Sequence, residues 1–289
     1  MGGIYWLASY LKSGNTWFRA FLSNLRGGGT APADINALDR EAIAAARGWL
    51  DEVLGFDTAD LPPGDVELLR PHVYRWSRHS PGIAYHKIHD AYTWTDAGEP
   101  LVSREGTLGA IYLIRNPLDV AVSLAHHWQC SIDQTIDRMG SPDTMLALGR
   151  TGMAAQVRQR LLTWSGHVGS WVEAPGLRCE VVRYEDMLTD PLPTFTRAAA
   201  FLGLPTDPEH VARAIRFSEF RELARQEAQH GFEERRPGMD RFFRHGRRDG
   251  WQGILTRNQV ARLLADHGRT MRRFGYATLG SDPVEPDES

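Results

Sequence analysis

Lysine is nearly absent from this chain. Of its 33 basic residues only Lys12 and Lys87 are lysines, and the other 31 are arginines. A chain that uses arginine wherever a generic positive charge suffices leaves each remaining lysine as a candidate for a contact that the guanidinium cannot make. The lysine ammonium is a compact point charge with rotatable donors, and it suits a tight loop around one phosphate oxygen. The alternative is that both are ordinary surface lysines.

Cysteine is also scarce, and long apolar runs and an excess of positive charge are missing. The two cysteines, Cys130 and Cys179, provide neither a disulfide framework nor metal-ligand spacing, so we expect reduced thiols. No apolar stretch approaches the roughly 18 residues of a membrane span, and the N-terminus lacks the pattern of a signal peptide. The net charge of −3 argues against a general nucleic-acid binder but allows a local basic pocket. We therefore expect a cytoplasmic protein without nucleic-acid or membrane partners.

The apolar pattern predicts an α/β fold. The chain has 289 residues, of which 42% are hydrophobic, and is long enough to bury a substantial core. Strand-like runs at residues 4–9, 83–88, 108–114 and 177–182 are separated by helical patterns near 16–26, 35–54, 117–124, 156–172 and 192–202. Two short helices are predicted within residues 207–228, and a last one over 257–274. This alternation predicts a largely parallel sheet flanked by helices.

The first strand-like run leads into a loop rich in hydrogen-bond donors, Lys12-Ser13-Gly14-Asn15-Thr16. In open parallel sheets, ligands bind where strands end and helices begin, and the amides and dipole of a helix start favour an anion there. Gly14 lets the backbone approach such a group closely. The lysine precedes Ser-Gly, whereas in the Walker pattern it follows the last glycine. We interpret the loop as a phosphate-binding loop, and the alternative is an ordinary strand-to-helix turn.

A second motif, Arg115-Asn116-Pro117-Leu118-Asp119, follows the third strand-like run, and Ser123 lies about two helical turns further on. At the end of a strand the guanidinium of Arg115 can clamp a phosphate with two hydrogen bonds. The alternative is that Asn116 or Asp119 caps the helix while Arg115 forms an ion pair on the surface.

Together these motifs resemble the phosphosulfate-binding loop and the 3′-phosphate motif of sulfotransferases that use 3′-phosphoadenosine 5′-phosphosulfate (PAPS). Lys87-Ile88-His89 resembles the Lys-Thr-His segment of this family, and Tyr184-Glu185-Asp186 resembles its Tyr-Glu-Asp segment. Phe243-Arg244-His245-Gly246, followed by Gly250-Trp251, resembles its C-terminal Arg-Lys-Gly loop. The run at residues 4–10 resembles bacterial members, including those that sulfate glycopeptide antibiotics.

The resemblance implies a single three-layer domain like that of P-loop NTPases, over residues 1–280. It also implies an enzyme that transfers the sulfuryl group of PAPS to a hydroxyl or phenol of a small molecule, for example a secondary metabolite such as a glycopeptide, without a metal.

The catalytic residues that the resemblance implies are Lys12, Lys87 and His89, with His89 as the base. His86 is the alternative base, and Lys87 could instead pair with Asp90 or another carboxylate. The implied PAPS contacts are Lys12, Ser13, Gly14, Asn15, Thr16, Trp17, Arg115, Ser123, Tyr184, Ser218, Phe220, Arg244, His245 and Gly246.

The sequence departs from the family pattern at Leu11, where proline is usual, at His245, where lysine is usual, and at Asp249-Gly250-Trp251, where the usual order is Gly-Asp-Trp. We expect residues 27–82 to be an insertion, residues 229–250 a mobile lid and residues 281–289 a disordered acidic tail. The insertion, the arginine-rich stretch 229–241, and Tyr92 with Trp94 are expected to form the acceptor site. The oligomeric state is open.

Two other functions compete with this interpretation. A nucleotide kinase or similar P-loop phosphotransferase predicts a Walker lysine and a magnesium-binding aspartate at the end of an apolar strand, where this chain has Arg115. A catalytically inactive nucleotide-binding protein predicts the loss of Lys12 or His89, and both are present.

Overall fold

A parallel sheet lies at the centre of the computed structural model, which describes residues 2–38, 43–147, 155–235, 238–244 and 246–276. The strands are β1 (Gly3–Ser9), β2 (Ile83–Ile88), β3 (Thr107–Ile114), β4 (Met145–Leu146), β5 (Gln159–Arg160) and β6 (Cys179–Arg183). Within these residues the main sheet has the order β2-β1-β3-β6, and every neighbouring pair in it is parallel. The short strands β4 and β5 form a separate antiparallel pair. The predicted parallel sheet is confirmed.

Helices cover both faces of this sheet. They are α1 (Asn15–Gly27), α2 (Arg47–Leu54), α3 (Pro63–Trp76), α4 (Pro117–Trp128), α5 (Ile132–Gly140), α6 (Trp164–Val172), α7 (Tyr184–Thr189), α8 (Pro191–Phe201), α9 (Pro208–Phe217), α10 (Phe220–His230) and α11 (Arg257–Arg273). No helix in the described part of the chain combines the length and the apolarity that a membrane crossing requires.

The alternation of side chains along β1 divides the core into two layers. Trp6 packs on one face with residues of α3, α4, α5, α6 and α11, and Leu7 packs on the other with residues of α1, α7, α8 and α9. Successive side chains of a strand point to opposite faces, so a central strand must be apolar on both. β1 is accordingly buried at every position. The result is a three-layer α/β arrangement, as predicted.

A third apolar cluster lies beside the sheet and joins distant parts of the chain. Ile35 and Leu38 pack in it with Ala20 of α1, Leu223 of α10 and Phe232. The segment that follows α10 is thereby held against the first helix, close to the loop that follows β1.

Two helix predictions were wrong in their extent. Residues 35–54 form one 3₁₀ turn (Ile35–Ala37) and a later helix, α2, rather than one continuous helix. In the region 156–172 a helix begins only at Trp164, where the Thr163 side chain accepts a hydrogen bond from Gly166 N. Helix α3 is an element that the apolar pattern did not indicate, and it begins at Pro63, directly after Pro62. Proline is favoured at the first turn of a helix, where its missing N–H costs nothing.

Candidate active site

A cavity of about 1470 Å³ opens at the carboxyl ends of the central strands. Lys12 after β1, His89 after β2, Arg115 after β3 and Tyr184 after β6 all line it. This is the edge at which open parallel sheets bind ligands. The motifs singled out in the sequence therefore converge on one site.

The loop between β1 and α1 presents an uncapped helix start to this cavity. Gly14 is the N-cap residue with a φ of 98°, and no side chain caps the helix. Asn15 Nδ2 donates to Leu7 O (2.8 Å) and to Ser9 Oγ (3.1 Å), which ties the loop back to β1. The buried Ser13 hydroxyl has no hydrogen-bond partner among the described residues, although Ser13 does not line the cavity. Free amides at a helix N-terminus form a ready anion site.

Lys12 adds a partly buried positive charge to this loop. Its backbone is in the left-handed region, with a φ of 63°, and its Nζ lies 3.9 Å from the centroid of the Phe242 ring. Burial, followed by repulsion from Arg115 and Lys87, lowers the pKa of Lys12 to about 7. An anion placed beside the ammonium would relieve this repulsion, so the cavity favours the binding of a negatively charged group.

Arg115 connects the loop to the C-terminal part of the chain. It donates from Nη1 to Lys12 O (3.1 Å) and from Nη2 to Arg247 O (3.2 Å). Its guanidinium carbon lies 4.2 Å from the centroid of the Tyr184 ring. Asn116 Oδ1 accepts from Leu118 N and caps α4, as one alternative anticipated. Arg115, however, is used inside the site rather than in a surface ion pair.

Asp119 has a role that the sequence analysis missed. Its carboxylate accepts hydrogen bonds from the backbone N–H groups of Asp249 (2.9 Å) and Trp251 (3.0 Å). Both residues belong to the triplet Asp249-Gly250-Trp251, at which the sequence departs from the family order. Asp119 thus anchors the stretch after Arg247 to the start of α4.

His89 has a defined tautomer. Its Nδ1 lies 2.8 Å from Ser9 O, and because a carbonyl oxygen only accepts, Nδ1 carries the proton and Nε2 carries the lone pair. His167 Nε2 lies 3.1 Å from His89 O and fixes the backbone. Burial, followed by the charge of Lys87, lowers the pKa of His89 to about 3. At neutral pH the imidazole is therefore uncharged, which is the form that accepts a proton.

The alternative base, His86, lies elsewhere. Its ring stacks on Trp49 at a centroid distance of 4.3 Å, and it lines a separate pocket of about 130 Å³. The geometry therefore favours His89 over His86.

Lys87 is paired with a carboxylate from the segment after α10. Its Nζ lies 2.8 Å from Glu234 Oε2, whereas Asp90 pairs with Arg70 at 2.6 Å. Arg19 Nη1 lies 2.5 Å from the other oxygen of Glu234. Although burial alone would raise the pKa of Glu234, the charges of Lys87 and Arg19 lower it below its ordinary value. The alternative of a carboxylate partner for Lys87 was correct, but Asp90 is not that partner.

Most of the predicted donor-binding residues line the cavity: Lys12, Gly14, Asn15, Thr16, Trp17, Arg115, Ser123, Tyr184, Phe220, Arg244 and Gly246. Ser218 does not line it, and its buried hydroxyl donates to Ala214 O and Ile215 O. His245 lies outside the described residues, as does the acidic tail 281–289. Gly246 has a φ of 56°, and a Cβ there would lie 2.3 Å from the Phe220 ring, so only glycine fits this turn.

The expected acceptor-site residues divide into two groups. Ile35, Leu38 and Ile43 of the predicted insertion line the cavity, and so does Phe232 of the stretch 229–241. Tyr92 instead packs edge-on against Trp171, Trp94 is half exposed, and neither lines the cavity. Among the described residues, no group of three His, Cys, Asp or Glu side chains could hold a metal ion.

A comparison with protein families decides the relationship of this chain. The protein-family model described as the sulfotransferase domain matches residues 103–275 of the sequence, which is more than half of the chain. The chain belongs to the sulfotransferase family. The resemblance inferred from the motifs is thereby confirmed at the level of the family.

Individual sulfotransferases are distant relatives. The flavonol 3-sulfotransferase of Flaveria bidentis is 23% identical over 277 residues, covering 89% of this chain and 78% of the relative. Sulfotransferase 2A6 of Rattus norvegicus is 26% identical over 152 residues, covering 50% of each chain. Identity at this level leaves the substrate of this chain open.

Solved structures confirm the sulfotransferase fold. Mouse sulfotransferase SULT7A1 complexed with PAP superposes with a TM-score of 0.61 at 18% identity, covering 93% of this chain and 85% of that one. Retinol dehydratase in complex with androsterone and the inactive cofactor PAP superposes with a TM-score of 0.56 at 18% identity, covering 99% and 83%. The predicted P-loop-like α/β architecture is confirmed.

Gly14→Ala tests the packing of the loop in this sulfotransferase. A Cβ at Gly14 would lie 2.7 Å from Tyr184 Cδ2 and 3.1 Å from Met187 Cε, in addition to the strain of a φ of 98°. Gly28→Ala is the matched control, because Gly28 has a φ of 60° but nothing within 4 Å of its Cβ position. We expect Gly14→Ala to lose about 1–3 kcal/mol more of the free energy of unfolding than Gly28→Ala, measured by urea denaturation. Equal losses would show that the contact with Tyr184 does not constrain the loop.

Proposed function

We propose that this sulfotransferase transfers the sulfuryl group of PAPS to a hydroxyl or phenol of a small molecule, with His89 as the base. One observation carries the proposal: Lys12, Lys87 and Arg115 line the same cavity as a neutral imidazole whose Nε2 lone pair is unprotonated. Cations that bind a phosphosulfate and a base that accepts a hydroxyl proton are the two parts that this reaction needs.

The residues at the loop between β1 and α1 fit the sulfuryl donor, PAPS. The uncapped start of α1 offers backbone N–H donors to the 5′-phosphosulfate, whereas the partnerless Ser13 hydroxyl lies outside the cavity lining. Among the described residues, Arg115 Nε and Trp17 Nε1 are also buried without a hydrogen-bond partner. Arg115, Ser123, Arg244 and the backbone of Gly246 would hold the 3′-phosphate, while Trp17 and Phe220 would flank the adenine and Tyr184 would contact its edge. This geometry does not support Ser218, an expected PAPS contact, because it does not line the cavity.

The chemistry follows from these positions. PAPS supplies the activated sulfuryl group, whose bond to the 5′-phosphate oxygen breaks as the acceptor oxygen bonds to sulfur, releasing 3′,5′-adenosine bisphosphate (PAP). His89 Nε2 accepts the proton that the acceptor hydroxyl loses, a contribution of roughly 10²- to 10⁴-fold. Lys12 and Lys87 stabilise the negative charge that develops on the leaving phosphate and the transferring group.

An apolar hydroxyl compound is the acceptor that the cavity favours. Ile35, Leu38, Ile43 and Phe232 line the same cavity as the proposed base. The plant relative is named for a flavonol, and one structural neighbour was solved with androsterone. These names support a small-molecule acceptor, while a glycopeptide acceptor and a cytoplasmic location stay predictions. The lid role of residues 229–250 stays a prediction as well.

A transfer screen tests the proposal. The purified protein is incubated with sulfur-labelled PAPS and panels of phenols, sugars and glycopeptides, and in parallel with γ-labelled ATP and magnesium. We expect labelled sulfate esters from phenols or other apolar hydroxyl compounds, with one PAP released per product. Transfer from ATP in place of PAPS would overturn the proposal in favour of a phosphotransferase.

A further inference from the structure

We propose that Arg19 and Glu234 are positioning residues for Lys87: Arg19 fixes the Glu234 carboxylate, which holds the Lys87 ammonium charged and aimed at one place in the cavity. The proposal rests on the proposed function, in which Lys87 acts on the transferring sulfuryl group. Neither residue belongs to the motifs that carry the family resemblance.

The geometry is that of a bridging carboxylate. Glu234 Oε2 lies 2.8 Å from Lys87 Nζ, and Glu234 Oε1 lies 2.5 Å from Arg19 Nη1. Arg19 is 5% exposed, and its Nη2 also donates to Leu38 O. Arg19 lies on α1 and Lys87 on β2, whereas Glu234 follows α10. The carboxylate therefore links three elements that are distant in sequence, and two cations fix its orientation.

The position of Lys87 explains why a carboxylate is needed. Its side chain is 12% exposed, and the charged or titratable groups around it are Arg19, Lys12, His89 and Glu234. Burial, followed by the charge of Arg19, lowers the pKa of Lys87, whereas the charge of Glu234 raises it. A neutral amine cannot stabilise developing negative charge. Removing the Glu234 charge should therefore lower the pKa of Lys87. The amine would then become neutral at a lower pH than in the wild type, and it would be poorly oriented.

A separate carboxylate allows this role to be distinguished from simple anchoring of the chain. Glu227 accepts hydrogen bonds from Phe242 N (2.7 Å) and Phe243 N (2.9 Å). It thus holds the segment after α10 without contacting Lys87. Glu227→Gln is the matched control for Glu234→Gln, since each removes one carboxylate charge that anchors the same part of the chain.

The scarcity of lysine makes a direct measurement possible. Labelling with ¹³C-lysine gives signals from only two residues, Lys12 and Lys87, and the variant Lys87→Met assigns them. We expect Glu234→Gln to lower the pKa of Lys87 by about one to two units, because the negative charge of its hydrogen-bond partner is lost. Glu227→Gln should leave this pKa unchanged. An unchanged Lys87 pKa in Glu234→Gln, or equal shifts in both variants, would overturn the proposal.

Steady-state kinetics extend the test to turnover. In Glu234→Gln the alkaline limb of kcat should move to lower pH by the same one to two units, roughly, while the affinity for PAP, which lacks the sulfuryl group, stays near wild type. In a Lys87→Met background the Glu234→Gln substitution should have little further effect on kcat, because the two residues act as a unit. Full additivity would contradict the positioning role. If Glu234→Gln does not fold, Glu234→Asp is titrated instead, because it keeps the carboxylate one methylene further from Lys87 and adds no lysine signal. A smaller decrease of the Lys87 pKa is expected, and an unchanged value would contradict the proposal. If the wild type transfers no sulfuryl group from PAPS, the proposed function fails, and the Lys87 titration still decides the positioning of the ammonium.

Discussion

Replacing His89 with alanine should lower kcat by roughly 10²- to 10⁴-fold, which is the usual contribution of a general base. The reason lies in the hydrogen bond from Nδ1 to Ser9 O, which leaves the Nε2 lone pair available in a residue that lines the cavity. The affinity for PAP should remain close to wild type, because His89 does not belong to the donor loop. The measurement is kcat with PAPS and an identified acceptor, together with titration calorimetry of PAP.

His86→Ala is the control for this substitution. His86 stacks on Trp49 in a different pocket, so its removal should lower stability but leave kcat within a few-fold of wild type, roughly. Turnover that survives in His89→Ala but is lost in His86→Ala would reverse the assignment of the base.

Lys12→Arg should lower kcat by roughly 10²- to 10³-fold, comparable to the loss of one donor from an oxyanion site, although the positive charge is kept. Lys12 lies in a left-handed loop position, and its ammonium lies 3.9 Å from the Phe242 ring centroid. The larger planar guanidinium would displace Phe242 and direct its donors away from the oxygen that the ammonium reaches. Lys12→Met measures the total contribution of the side chain. Near-normal turnover in Lys12→Arg would show that a generic charge is sufficient.

The protonation of Lys12 gives this variant a second readout. Burial, followed by Arg115, lowers the pKa of Lys12 to about 7, and a bound anion favours the charged form. Below this pKa the ammonium is already present, whereas above it PAP binding must be accompanied by uptake of a proton. The affinity for PAP should therefore fall by up to about tenfold per unit as the pH rises above 7. Lys12→Arg should abolish this dependence, because the guanidinium stays charged. Calorimetric titrations at several pH values check this, and equal slopes in both proteins would contradict it.

The part of the cavity that is proposed to bind PAPS could be located from the sequence because its segments are local. Lys12 and Gly14 lie in one strand–loop–helix segment, and Arg115 follows the next apolar strand. The carboxyl ends of parallel strands meet at one edge of a sheet, so these segments converge once the strands are recognised. The fold followed from the same alternation of strands and helices.

The remaining contacts depend on packing between distant segments. Glu234 is 147 positions from Lys87, and nothing in the local sequence distinguishes it from the adjacent Glu233. Its position follows from the apolar cluster in which Phe232 packs against α1. Ser218 shows the reverse case, because the family resemblance implied a contact with PAPS, while its hydroxyl donates to carbonyl groups at the end of α9. Contacts of this kind depend on the register of the packed elements and on the burial of the side chains, and neither can be read from a single sequence.

The competition between PAP and ATP with magnesium for the free enzyme tests the central claim most directly. The cavity combines a non-Walker lysine with Arg115, where a kinase has a magnesium-binding aspartate. Titration calorimetry should show PAP binding at least about tenfold more tightly than ATP with magnesium, since each added arginine–phosphate contact is a strong charge-assisted one. Equal affinities, or a preference for ATP with magnesium, would contradict the assignment of this cavity to PAPS.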